Sequence, residues 1–175
     1  IKSDWNKIGI NFDLKQQNRN LWRLRGVANK IDTTAWMIDY LTGKSFMTQN
    51  GLRHFAPVST FAATPWPGWV AWYTSKGEKG MTPTAEGKKL IRLAESVLYG
   101  TSKTERKEAA TAILRSQAEN LWSIGTVTMA PQPLIADESL KNIPTKGLWS
   151  WELSKYLGPY HSEQFYLNKE KTDRN

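Results

Sequence analysis

Residues 119–144 read Glu-Asn-Leu-Trp-Ser-Ile-Gly-Thr-Val-Thr-Met-Ala-Pro-Gln-Pro-Leu-Ile-Ala-Asp-Glu-Ser-Leu-Lys-Asn-Ile-Pro. The spacing predicts a helix that ends at Gly125, a short strand from Thr126, and an extended path through Leu134-Ile135-Ala136 to Asn142-Ile143-Pro144. Pro131 and Pro133 interrupt that path. A proline has no N–H to give to a sheet ladder, so this stretch cannot be the middle of a central strand. It reads as a chain leaving one packed unit and entering another.

The residues before it carry an alternating order of elements. Ile1-Lys2-Ser3-Asp4-Trp5-Asn6-Lys7 reads as the last turns of a helix, closed by Ile8-Gly9, as expected of a piece of a larger fold. Ile10, Phe12 and Leu14 alternate with Asn11 and Asp13, the period of a half-buried strand. Asn18 is placed to cap a helix running to about Asn29, and residues 32–38 read as a second strand with Trp36 near its end. Strand, helix, strand is an α/β signature, and a right-handed crossover makes the two strands parallel. Residues 39–82 are irregular and punctuated by Gly and Pro, so they form either a functional excursion or a segment packed by its own aromatics. Trp69, Trp72 and Tyr73 fit one face of a short helix there, and Trp66, Trp69 and Trp72 read as packing rather than as ligand stacking.

Two longer helices follow. Thr82 caps the first with Pro83 in its opening position, Leu90, Leu93, Ala94 and Val97 form its apolar stripe, and Gly100 ends it. Ser102-Lys103-Thr104-Glu105 is a capping box for the second. Ala110, Ile113, Leu114, Gln117, Ala118 and Leu121 are its expected inward face, with Gly125 as its C-terminal cap.

The formal charge of +8 invites a nucleic-acid reading, and nine Trp could stack on single-stranded bases. The cations are scattered, however, over Lys76, Lys79, Lys88, Lys89, Arg92, Arg106 and Lys107. Solvated faces explain them better, and no nucleic-acid partner is expected. There is no Gly-rich phosphate loop and no zinc spacing. Cysteine is absent, and the two His, His54 and His161, sit in no metal-binding spacing and read as surface or internally satisfied groups. Neighbouring carboxylates such as Asp137 and Glu138 point apart on an extended chain, unlike a glycosidase pair. No nucleophile, base and orienting group come together in the pattern, so no catalysis and no cofactor are expected.

A binding site fits the residues better. Residues at the C-terminal ends of parallel strands face the ligand crevice in open α/β folds. Trp36 is the first candidate wall, with Asp39 and Tyr40 at the mouth that follows it. Arg53 either holds an anionic or hydroxylated group or faces solvent. Met129, just before the Pro-x-Pro crossing, is either a floor residue or part of the core.

The order of a helix, Ile-Gly-Thr-Val, Pro-x-Pro, Leu-Lys-Asn-Ile-Pro, an aromatic stretch and a late Glu-Gln-Phe resembles the C-terminal end of the large extracytoplasmic solute-binding proteins. These are the oligopeptide-type, or family 5, receptors of ABC importers. The likeness rests on Trp122, Ile124, Gly125, Pro131, Pro133, Asn142, Pro144, Trp149 and Glu163-Gln164-Phe165. Lys7-Ile8-Gly9-Ile10-Asn11-Phe12 and Pro67-Gly68-Trp69-Val70-Ala71-Trp72-Tyr73 extend it over nearly the whole chain, but only over the last part of such a receptor.

The resemblance implies an α/β chain forming the C-terminal portion of a type II periplasmic-binding-protein-like fold with two lobes. In that frame residues 1–127 are the later part of the second lobe, 128–137 the hinge crossing, and 138–175 a return segment of the first lobe. It implies a small solute (peptide, opine or oligosaccharide) as ligand, and ABC permease subunits and the N-terminal part of the same receptor as partners. It also implies a periplasmic or extracytoplasmic location, with any membrane anchor carried by that N-terminal part. The segment after the strand at 32–38 often contacts ligand in such receptors, but their Asp-Pro pattern is absent here, which weakens a transfer of peptide-amine binding to Asp39. Two other readings compete: a basic, Trp-rich nucleic-acid-binding domain, and a fragment of a carbohydrate-active enzyme.

Overall fold

A helical hairpin organises the chain. The computed structural model describes residues 2–38, 40–41, 43–59, 65–128, 130–131, 133–147 and 160–168. Its helices are α1 (Lys2–Lys7), α2 (Arg19–Val27), α3 (Gln49–Leu52), α4 (Pro67–Thr74), α5 (Ala85–Tyr99) and α6 (Lys103–Asn120), with 3-10 turns at Gly43–Met47 and Ser162–Gln164. Two short strands, β1 (Leu140–Lys141) and β2 (Tyr166–Leu167), pair antiparallel with Leu140 opposite Leu167 and Lys141 opposite Tyr166. No helix among the described residues is long and apolar enough to cross a membrane.

Local chemistry sets the ends of α5 and α6. The start of α5 falls two residues after the expected one: Thr84, not Thr82, is extended and accepts the Gly87 N–H at 3.2 Å. Pro83 is buried ahead of the helix. Gly100 caps the other end by donating to the Ser96 carbonyl at 2.9 Å. The Ser102 half of the expected capping box forms, its Oγ accepting from the Glu105 N–H at 3.0 Å, while the Glu105 carboxylate accepts from the Thr101 N–H at 3.1 Å, one residue before the cap. Arg106 closes the corner between the helices, its Nε donating to the Val97 carbonyl at 2.7 Å.

The end of α6 differs from the expectation of a helix running to Gly125. Leu121 turns left-handed at φ 51° and stops the helix after Asn120. Side chains from the preceding turn make this exit favourable. Gln117 donates to the Ser123 carbonyl at 2.6 Å and accepts the Ser123 N–H at 3.2 Å. Buried Ser116 accepts from Trp122 Nε1 at 3.1 Å and donates to Glu86 Oε1 at 3.0 Å. Trp122 is thereby drawn edge-on against Trp66 and Trp69, which stack on each other 6.1 Å apart. The aromatics of the irregular segment thus pack, as the spacing suggested.

The inward face of α6 is Ala109, Ala110, Ile113 and Ser116. Leu114, Ala118 and Leu121, expected inward, are exposed. Ala109, Ile113 and Ser116 follow the i, i+4, i+7 row that meets α5, and Leu114 lies about 100° around from Ile113. On α5, Gly87, Leu90, Ile91, Ala94 and Val97 are buried. The residues around α3 complete this same core rather than forming an excursion: Phe46, Leu52, Phe55, Ala56 and Val58 belong to one cluster with Trp66 and the α5–α6 seam.

The segments expected as strands at 10–14, at 32–38 and from Thr126 carry no ladder among the described residues. A strand needs a neighbour about 4.8 Å away to take its N–H and C=O groups, and sequence alternation cannot supply one. Several of their apolar positions face outward, with Leu14 77% exposed and Val127 80%, and Ile135 farther along is fully exposed, while Phe12 packs edge-on against Trp5 and Ile38 against the core. Gly9 closes α1 at φ +82°, where the sequence placed the stop.

Candidate functional site

Two clusters, each a cation over an aromatic ring, gather the described candidate residues. The first grows from α2. Asn18 accepts the Leu21 N–H at 2.9 Å and fixes the start of the helix, so Arg19 and Trp22, three apart, share a face. Trp22 Nε1 donates to Thr34 Oγ1 at 2.8 Å, and Arg25 donates to the Lys30 carbonyl at 3.2 Å. These bonds hold the segment leading to Trp36 back along α2. Trp36 then stacks on Trp22 with centroids 4.3 Å apart and planes 12° apart, and the Arg19 guanidinium lies 5.7 Å from its ring centroid. Trp36 remains 38% exposed, a partly open aromatic surface of the kind that meets sugar or apolar faces.

The second cluster grows from α3. Thr48 caps that short helix by accepting the Gly51 N–H at 3.3 Å, and the Thr48 hydroxyl donates to the Ser45 carbonyl at 2.7 Å. The turn that follows carries Arg53 and His54. Arg53 Cζ lies 5.6 Å from the Tyr40 ring centroid, its Nη1 donates to Asn50 Oδ1 at 3.4 Å, and its Nε donates to His54 Nε2 at 3.3 Å. Asn50 also reaches the Tyr40 hydroxyl at 3.5 Å. Tyr40 itself sits at φ +63°, a left-handed backbone position that is uncommon for a bulky residue and turns up often at ligand sites.

Tyr40 and Arg53 are therefore brought together, while Trp36 belongs to the α2 cluster. Asp39 and Met129 lie outside the described residues. Arg19, Trp22, Asn50 and His54 were not among the candidates. Arg19 and Trp22 could have been found as an i, i+3 pair behind the Asn18 cap. His54 carried no such signal, because its burial depends on the core formed around Leu52 and Phe55. His161, in contrast, is exposed and pairs with Glu163 Oε1 at 2.8 Å. Among the described residues no three His, Asp or Glu side chains converge as metal ligands would.

His54 is 4% exposed, and burial together with the neighbouring Arg53 charge lowers its pKa from 6.5 to about 4. It is neutral at pH 7. Since Nε2 accepts the Arg53 proton, the ring proton sits on Nδ1. The unfolded chain binds a proton near pH 6.5 and the folded chain only near pH 4, so stability is complete above pH 6.5 and falls as pH drops through that window. The loss is on the order of 2–3 kcal/mol by pH 4. Urea denaturation of wild type and of His54→Gln at pH 7, 5.5 and 4 measures it. The wild type is expected to lose this increment while the variant does not; equal acid slopes would remove His54 as the cause.

Comparison of the chain with protein-family models, curated proteins and solved structures returns no match.

Proposed function

We propose that this chain is the C-terminal portion of an extracytoplasmic solute-binding receptor of the family 5 type. In this reading it captures a peptide, opine or oligosaccharide between two hinged α/β lobes and passes it to an ABC permease. The observation that carries the reading is the contrast between the helical body and the segments around it. Ile10, Leu14, Val127, Leu134 and Ile135 are exposed, although they lie in segments that the sequence reads as strand or extended chain. In this reading the other lobe and the sheet neighbours it brings would cover them.

Residues 1–127 then supply the later part of one lobe, 128–137 cross the hinge, and 138–175 return to the other. Ligand bridging both lobes favours the closed state because only that state offers both sets of contacts. Tyr40 with Arg53, and Trp36 with Trp22, are the groups proposed to meet the solute, along with Asp39 and Met129. Stacking on the aromatic faces and a charge-assisted bond from Arg53 suit a solute with both apolar and polar or anionic parts.

The cationic surface of α6 gives less support to a nucleic-acid role. Lys103, Lys107 and Arg115 are exposed there beside exposed Glu108, a mixed surface rather than a continuous basic track. Native mass spectrometry of a full receptor containing this chain tests the proposal. A co-purified small solute, together with weak binding of that solute by the isolated chain, is expected. Tight solute binding by the isolated chain, or salt-sensitive binding of a single-stranded oligonucleotide with no solute present, would overturn it.

A further inference from the structure

We infer that His54 is a positioning residue for Arg53, setting its guanidinium against the Tyr40 ring as a receptor for an oxyanion, carboxylate or phosphate, on the captured solute. The inference deepens the proposed function, since it takes Tyr40 and Arg53 as the solute-binding pair. A guanidinium is a rigid plane with five N–H donors, and what it can grip depends on how that plane is held. Among the described residues, Tyr40, Asn50 and His54 hold it. The Tyr40 ring lies 5.6 Å from Cζ, Asn50 Oδ1 takes an Nη1 proton at 3.4 Å, and His54 Nε2 takes the Nε proton at 3.3 Å.

His54 is the anchor among these, because it is buried and sits on the turn that α3 and the core fix. Asn50 and Tyr40 are more exposed and move more cheaply. A preset guanidinium forms bidentate bonds to a planar or tetrahedral oxyanion without first losing side-chain freedom. The holding contact exists only while His54 is neutral. A protonated imidazole presents an N–H at Nε2, which cannot accept from Arg53 and repels it. Among the described residues Arg53 is the charged group whose field bears on His54.

The test follows the Arg53 Nε–H signal by NMR in the full chain labelled with ¹⁵N-arginine. Acetate and inorganic phosphate are titrated at pH 7 to separate carboxylate from phosphate preference. Sulfate, which keeps its charge from pH 7 to pH 4, is used for the pH series. The wild type and His54→Gln, which keeps an acceptor, are expected to show a saturable shift at pH 7. His54→Leu is expected to bind about tenfold more weakly, which corresponds to about 1.4 kcal/mol.

Sulfate binding is expected to fade toward pH 4 in the wild type and to persist in His54→Gln. Equal affinity in His54→Leu, equal fading in His54→Gln, or no anion-induced shift of Arg53 would each overturn the role. Should His54→Leu fail to fold, the comparison of wild type with His54→Gln decides alone. Anion binding with this His54 dependence in a receptor that carries no solute would overturn the proposed function and leave the His54 role standing. A solute-bound receptor with His54-independent anion binding would do the reverse.

Discussion

Ile113→Ala is expected to lower the unfolding free energy by about 2–5 kcal/mol, while Leu114→Ala, one residue along, costs less than about 1 kcal/mol. Ile113 is fully buried in the α5–α6 core, whereas Leu114 is 47% exposed. Alanine is the better helix former, so propensity acts against the loss at both sites and cannot produce the difference. The larger cost at Ile113 comes from lost transfer energy and from the cavity left beside rigid helix backbones. Urea midpoints at constant m-value read both effects. Equal costs at the two positions would mean that α6 is rotated from the orientation described.

The second large effect is expected at Gly51. A Cβ built there would lie 2.6 Å from the Phe46 Cα and from the Phe46 and Ser45 carbonyl oxygens. All three are backbone atoms, so no rotamer change relieves the overlap. Gly51→Ala therefore has to push α3 away from the 3-10 turn before it, at a cost toward the upper end of the roughly 1–3 kcal/mol seen for overpacking. The displacement also carries the turn that holds Arg53 and His54. Gly51→Ala is thus expected to weaken the Arg53–His54 contact as well as stability, which the Arg53 Nε–H signal would register. A variant with wild-type stability and an unchanged Arg53 signal would refute the close approach. Ala85 makes a useful control, since it is an exposed first-turn residue of α5 and its replacement by Ser leaves the core untouched.

Local chemistry was legible before the structure; the choice of face and partner was less so. Asn18, Ser102 and Gly100 act at the helix ends where the sequence placed them, because a cap needs only its own neighbouring backbone. The apolar stripe of α5 was also readable. The α6 face was misjudged at Leu114, Ala118 and Leu121. Alanine and leucine lie on several faces of that helix, and tertiary contact with α5 decides among them. The stop at Leu121 was hidden for a similar reason: Ser116 and Gln117 grip residues beyond the helix, and Leu121 has no intrinsic preference for the left-handed turn it makes. In the candidate site, Tyr40 and Arg53 were found but their joint support was not. Burial of His54 is a product of the whole core, so no spacing in the sequence announces it.

The grip on Trp122 and Ser123 has a mechanical side. Bonds from Gln117 and Ser116 make the first residues after α6 part of the helical body rather than of the outgoing chain. A pull applied farther along is then met first by residues 124–128, and α6 is spared the load. The fulcrum for any swing of the downstream chain then lies between Ser123 and Asp137, whose carboxylate is the next side chain to hold backbone among the described residues, taking the Ser139 N–H at 2.8 Å.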